Sequence, residues 1–230
     1  MKNLTCSLLF ILVMWMSYGH AASPPPRWGC SPPPEWLITS IPIVLQPDGL
    51  PWCSITSSQM AYASHKGKDD RFEQCRLVTT VLQDGSTSHT PLPPDQSCCP
   101  PEITSQYPFT CQSAFWPENV FRLAAPYRMK YVEVYPETAT DPPALPWEDI
   151  MDQIFCKGLP FIFIWKDSDG MPVHTAIAIG YEETPEGKRF VKVHDPLTGY
   201  TRLSYEKGFV QPLWLPGGGH FEDYVDLFLE

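Results

Sequence analysis

Three apolar runs decide the fold: Phe161-Ile162-Phe163-Ile164-Trp165, then Val173-His174-Thr175-Ala176-Ile177-Ala178-Ile179-Gly180, then Val191-Lys192-Val193-His194-Asp195. Each has the length of a strand and ends near turn-forming residues. The first is apolar throughout and reads as a buried strand. Val173 to Tyr181 and Arg189 to His194 flank Pro185-Glu186-Gly187, so they are expected to form a hairpin. Side chains alternate along a strand, which puts Ala176 and Ala178 on the face of His174 and leaves room there for another element.

Outward from this core, Leu203 to Tyr205, Tyr224 to Leu229 and the alternating Met129 to Tyr135 read as further strands. Glu148 to Cys156 carries Ile150, Met151, Ile154 and Phe155 at helical spacing, and Gly158-Leu159-Pro160 stops it. The first half of the chain is helical in pattern. Ser54 to Ser64 lacks Pro and Gly, with Ile55, Gln59 and Tyr62 on one weakly amphipathic face. Phe72, Cys75, Val78 and Leu82 form a clearer stripe. Pro117 opens a short helix through Leu123, where its missing N–H costs nothing. Pro91 to Pro108 is irregular. Helices followed by strands predict an α+β chain with an antiparallel sheet.

The start of the chain bears on compartment. Lys2, an apolar run from Leu4 to Met16 and the small residues of Gly19-His20-Ala21-Ala22 have the order of a secretory signal peptide. Residues 1–22 are therefore expected to be removed, and the product to be secreted or periplasmic. No later run is apolar enough to span a bilayer. Residues 23–45, with two Pro-Pro-Pro runs around Arg27-Trp28-Gly29-Cys30, read as an extended surface arm. Acidic residues outnumber basic ones, 26 to 16. Such a surface repels phosphate backbones, which argues against a nucleic-acid partner.

Removing Cys6 with the signal leaves Cys30, Cys53, Cys75, Cys98, Cys99, Cys111 and Cys156. An odd number in an oxidising compartment leaves one thiol over. The neighbours Cys98 and Cys99 should not bond each other. Of the possible pairings, Cys75–Cys98, Cys99–Cys111 and Cys30–Cys156 are expected, with Cys53 free.

Cys53 stands in Pro51-Trp52-Cys53-Ser54, where the first helical stretch begins. A helix N-terminus favours thiolate, the nucleophilic form. The bland reading of such a cysteine is a half-cystine. His174 starts a strand and Asp195 ends the next, so the hairpin brings them to one open end. A nucleophile–base–orienter trio needs that juxtaposition. Taken singly, His174 reads as a solvated or satisfied residue and Asp195 as an Asp-Pro turn former. His194 points away from Asp195's face and is a poor substitute. Gln46, shortly before Cys53, can supply a side-chain amide to an oxyanion hole together with the Cys53 N–H. No Cys/His spacing suggests zinc, and the trio needs neither metal nor organic cofactor.

The segment from Gln46 through Trp52-Cys53-Ser54-Ile55-Thr56-Ser57-Ser58-Gln59-Met60 resembles the nucleophile segment of bacterial papain-like cysteine peptidases, of the C39-like and staphopain/AvrRpt2-like groups. Those carry Cys-Trp-Ala-Ala-Ser followed by Gln-Met. The His174 strand ending in Gly180-Tyr181, and Val193-His194-Asp195-Pro196, are similar to their His and Asp-Pro segments. The tryptophan usual after the nucleophile is Ser54 here, the Ala-Ala pair is Ile55-Thr56, and a tryptophan precedes the cysteine instead.

The resemblance implies a papain-like domain over residues 46–230. A helical lobe at about 46–130 would hold the nucleophile. A β lobe at about 131–230 would hold His174 and Asp195 across a cleft. It implies hydrolysis of peptide bonds through a thioester, with a protein or peptide as substrate. Two alternatives keep the fold: an amidase, deamidase or acyltransferase acting on a non-protein group, and a non-catalytic binding protein. The arm is too short for a folded inhibitory propeptide. Control would then come from export, from a partner such as an inhibitor or chaperone, or from the arm itself.

Overall fold

The computed structural model describes residues 29–66, 74–84, 91–99, 109–123, 129–134, 145–166, 172–206, 209–210 and 219–229. The expected signal peptide, the start of the proline-rich arm and the second half of the Pro91–Pro108 stretch lie outside them.

Strand β1 (Glu35–Leu37) comes first, then helices α1 (Cys53–Lys66) and α2 (Gln74–Asp84), a 3-10 turn (Phe109–Gln112) and α3 (Pro117–Leu123). Strand β2 (Met129–Val134) precedes α4 (Trp147–Met151), which runs on as a π-helical turn over Asp152–Cys156. Strands β3 (Phe161–Lys166), β4 (Pro172–Glu183), β5 (Arg189–Asp195), β6 (Gly199–Glu206), β7 (Phe209–Val210) and β8 (Gly219–Leu229) complete the order. The α+β expectation holds: every pairing among the described strands is antiparallel, in the order β2-β8-β3-β4-β5-β6-β7.

Alternation along β3 and β4 sorts two cores. Ile162, Ile164, Ile177 and Ile179 face α1, α2 and α3 and pack with Trp52, Met60, Leu77 and Phe121. Phe161, Phe163, Trp165, Ala176 and Ala178 face the other way, with Trp147, Ile150 and Ile154 of the α4 region. The element that uses the space over Ala176 and Ala178 is therefore the α4 segment. Helix α1 is weakly amphipathic for a physical reason. It is covered on nearly all sides, with Ser54 to Ser58 and Met60 to Ala63 all buried. A helix enclosed in this way has no polar face to betray its orientation.

Part of the proline-rich arm joins the sheet. β1 pairs with β4, Leu37 opposite Gly180, and the disulfide Cys30–Cys156 ties its start to the π-helical turn. The other two bridges are Cys75–Cys99 and Cys98–Cys111, which corrects the expected exchange of partners between them. Depth decides it. Cys98 and Cys111 are fully buried in the first core, whereas Cys75 and Cys99 are only partly covered. Successive side chains diverge, so Cys98 turns inward and Cys99 turns toward α2.

Candidate active site

The loop before α1 is built on a tight turn. The Leu50 N–H donates to the Pro47 carbonyl at 3.2 Å, and Gly49 takes φ +73° within it, a left-handed conformation that suits glycine. Trp52 then anchors the chain. Its fully buried indole Nε1–H donates to the Cys111 carbonyl at 2.7 Å. The tryptophan that precedes the cysteine thus fixes where α1 begins. Cys53 is the first residue of α1, partly buried, and the one free cysteine among the described residues.

His174, near the start of β4, is 3% exposed. Its Nε2 lies 3.0 Å from Asp195 Oδ1, and the ring also hydrogen-bonds the Cys53 sulfur. With Nε2 engaged, Nδ1 is the atom left to face the thiol. Asp195 closes β5. Its Oδ1 also accepts the Leu197 N–H at 2.7 Å and the Thr198 N–H at 3.3 Å. Three donors therefore hold the carboxylate in place. Burial raises the Asp195 pKa, but His174 and these main-chain donors bring it below the ordinary carboxylate value.

The thiol and the imidazole are shifted in complementary directions. Burial pushes the Cys53 thiol up, yet the hydrogen bond and charge of His174, with contacts from Thr175, leave it below its ordinary value. Burial alone would lower His174. Asp195 and Cys53 outweigh that and push it up to about 9. Both shifts favour a thiolate–imidazolium pair.

Gln46 lines the same cleft as Cys53 and His174, together with Phe115, Trp116 and Leu197. Its Nε2 donates to the Leu50 carbonyl at 2.5 Å, which sets the amide's orientation and leaves the second Nε2 proton uncommitted. His194 does not join the site. It is buried on the other side of β5, donates a ring N–H to the Pro42 carbonyl and meets Tyr200 edge-on. The structure thus brings Cys53, His174 and Gln46 to one cleft, with Asp195 buried behind His174.

Two neighbours escaped the sequence reading. Trp165, opposite His174 in the β3–β4 register, stacks on the imidazole with ring planes 3° apart. Thr175 touches the start of α1. Strand register alone could have revealed Trp165, and nothing in residues 166–172 announces that register.

No family model and no curated protein matches the sequence. Among solved structures, the chain is similar to a double-glycine-motif protease from an AMS/PCAT transporter, solved with the leader peptide. That match has 17% identity and a TM-score of 0.37, covering 79% of this chain and 90% of the other. It is similar to the Amb a 11 cysteine protease of ragweed pollen in its proform, at 14% identity and a TM-score of 0.49, over 86% and 66% of the two chains. It is also similar to bromelain from Ananas comosus bound to the E64 inhibitor, at 13% identity and a TM-score of 0.46, over 86% and 100%. Likeness at this level leaves the site's own geometry to carry a functional reading.

Proposed function

We propose that this chain is a secreted papain-like cysteine peptidase, with Cys53 as nucleophile, His174 as acid–base and Asp195 as the group that orients His174. One observation carries the reading. The free Cys53 thiol and the Asp195 carboxylate hydrogen-bond the same buried imidazole, with Asp195 Oδ1 at 3.0 Å from Nε2. A buried imidazole between a free thiol and a carboxylate is the arrangement of nucleophilic acyl transfer.

The thiol proton passes to His174 before substrate arrives, giving thiolate and imidazolium. The thiolate attacks the carbonyl carbon of a peptide bond, and the carbonyl oxygen becomes an oxyanion. The Cys53 N–H and the uncommitted Nε2 proton of Gln46 receive that charge. His174 then protonates the leaving amine, and a thioester remains on Cys53. Neutral His174 takes a proton from water, which attacks the thioester and releases the acid. Asp195 stays ionised throughout and holds Nδ1 toward the sulfur. Three disulfides, Cys30–Cys156 among them, suit an oxidising compartment.

The test combines labelling with turnover. An epoxide or iodoacetamide should label Cys53 stoichiometrically in the mature protein, and a peptide library should be cleaved. Cys53→Ala should lose both. Full hydrolytic activity in Cys53→Ala would overturn the assignment. Release of acid from amides or cell-wall fragments, but from no peptide, would keep the trio and replace the substrate class.

A further inference from the structure

We infer that Thr175 is a further residue of this site, its hydroxyl turned by Ser54 so that it donates a hydrogen bond to the Cys53 sulfur. The inference rests on the reading of Cys53 as a thiolate nucleophile.

Ser54 follows Cys53 on α1, and Thr175 follows His174 on β4. Their hydroxyl oxygens are 2.8 Å apart, and each residue is 3% exposed. Ser57, one turn further along α1, donates its hydroxyl to the Thr175 carbonyl at 3.3 Å. Two hydroxyls of the nucleophile's helix therefore grip one residue of the histidine's strand. Thr175 also meets the Cys53 sulfur, through its side chain and its main chain.

Alternation explains how one sulfur meets two consecutive residues of β4. His174 leaves the sheet on the face of Trp165, and Thr175 leaves it on the opposite face, beside Ile164 and toward α1. The sulfur at the start of α1 takes the imidazole from one side and the threonine from the other.

Proton counting sets the order that a Thr175 donor to the sulfur requires. A hydroxyl has one proton to give and lone pairs to accept with. A thiolate only accepts. Thr175 can donate to it only if its own oxygen accepts from Ser54. The sequence Ser54 to Thr175 to Cys53 satisfies both buried oxygens, and the reverse order leaves the sulfur without this donor. The replacement of tryptophan by Ser54 after the nucleophile thereby acquires a chemical reason. A hydroxyl donor, poised beside the sulfur, holds negative charge there before any substrate binds. No bond is made or broken in this step, and the thiol proton still resides on His174.

The experiment follows the pH dependence of Cys53 alkylation by iodoacetamide in the folded full-length mature protein, with unfolding curves to show the fold is kept. Thr175→Val keeps the shape and removes the donor. Its alkylation midpoint should rise by about one pH unit, the size expected for a hydrogen bond to a charged group. Thr175→Ser should restore the midpoint. Ser54→Ala should give a smaller rise, and it decides the matter if Thr175→Val does not fold. Midpoints equal to wild type in the folded variants would overturn the inference, as would failure of Thr175→Ser to restore it. Alkylation reads the sulfur without any peptide substrate. A wild type that cleaves no peptide, with a shifted midpoint in Thr175→Val, would defeat the peptidase reading alone.

Discussion

The Gln46 main-chain N–H donates to the Pro196 carbonyl at 2.9 Å. This bond joins the loop that carries the candidate oxyanion amide to the turn that follows Asp195. The same turn supplies the Leu197 N–H that Asp195 accepts. The two sides of the cleft are thus tied by main chain within a few residues of both Cys53 and Asp195. The spacing of Gln46, Cys53 and His174 does not rest on side-chain packing alone.

That tie separates two roles of Gln46. Gln46→Ala removes the amide but keeps the main-chain bond. Loss of one oxyanion donor lowers kcat by about 10²- to 10³-fold. KM should change little, and alkylation of Cys53 should keep its rate, since the thiolate forms without substrate. Steady-state kinetics and alkylation rates on one preparation check this. A matching fall in alkylation would mean that Gln46 acts by holding the loop.

The His174 pKa of about 9 sets a pH window. The folded value lies above the ordinary value for histidine, so protonated His174 stabilises the fold fully below about pH 6.5. That contribution is lost as pH rises through about 9. Peptide hydrolysis needs the imidazolium to protonate the leaving amine, so it should decline across the same rise. Alkylation needs only thiolate and should not decline there. In Asp195→Asn the descending limb of hydrolysis should move to lower pH, because the negative partner of His174 is gone. A descending limb that stays in place in Asp195→Asn would count against the orienting role.

How far the sequence reveals this molecule depends on what each segment packs against. α3 begins at Pro117 and ends at Leu123 as expected, because proline marks a helix start directly. β3, β4 and β5 are legible because their apolar runs are long and the Pro185-Glu186-Gly187 turn is explicit. Gly187 takes φ +77° there. The joint position of His174 and Asp195 follows from that turn. β1 is only three residues long, with Glu35 and Trp36 exposed, and its place comes from β4 and Cys30. No local pattern announces such a strand. The cysteine pairing depends on depth, and the Ser54–Thr175 contact joins residues 121 positions apart. Both belong to tertiary packing rather than to local pattern.

Trp52 gives a stability prediction that also bears on the departure from the resembling families. In Trp52→Phe the side chain stays aromatic but loses three ring atoms from the core, and the Cys111 carbonyl loses its indole donor in a buried setting. An unsatisfied buried acceptor costs about 1–3 kcal/mol. Urea unfolding should show a loss of at least that size, since the smaller ring also leaves a cavity. The start of α1 should also loosen, and the alkylation midpoint of Cys53 should move toward that of an ordinary thiol. Unchanged stability would mean that the Cys111 carbonyl finds another donor.

Gly180 tests whether β1 is held by close backbone approach. A Cβ added there would lie 2.5 Å from the Trp36 carbonyl oxygen, with the Leu37 and Lys192 side chains each 3.1 Å away. A main-chain oxygen cannot rotate aside as a side chain does. Gly180→Ala must therefore push β1 off β4, breaking the Leu37–Gly180 register and straining the Glu35–Lys192 ion pair. Overpacking of this kind costs about 1–3 kcal/mol. The displaced strand stays tethered through Cys30–Cys156. Hydrogen exchange at residues 35–37 should accelerate, while Cys53 alkylation keeps its rate because the site lies at the other end of β4. Combining Gly180→Ala with Cys30→Ser and Cys156→Ser removes the tether as well, and the arm should then become open to proteolysis. Retained protection at residues 35–37 in Gly180→Ala would show that the sheet yields instead of the strand.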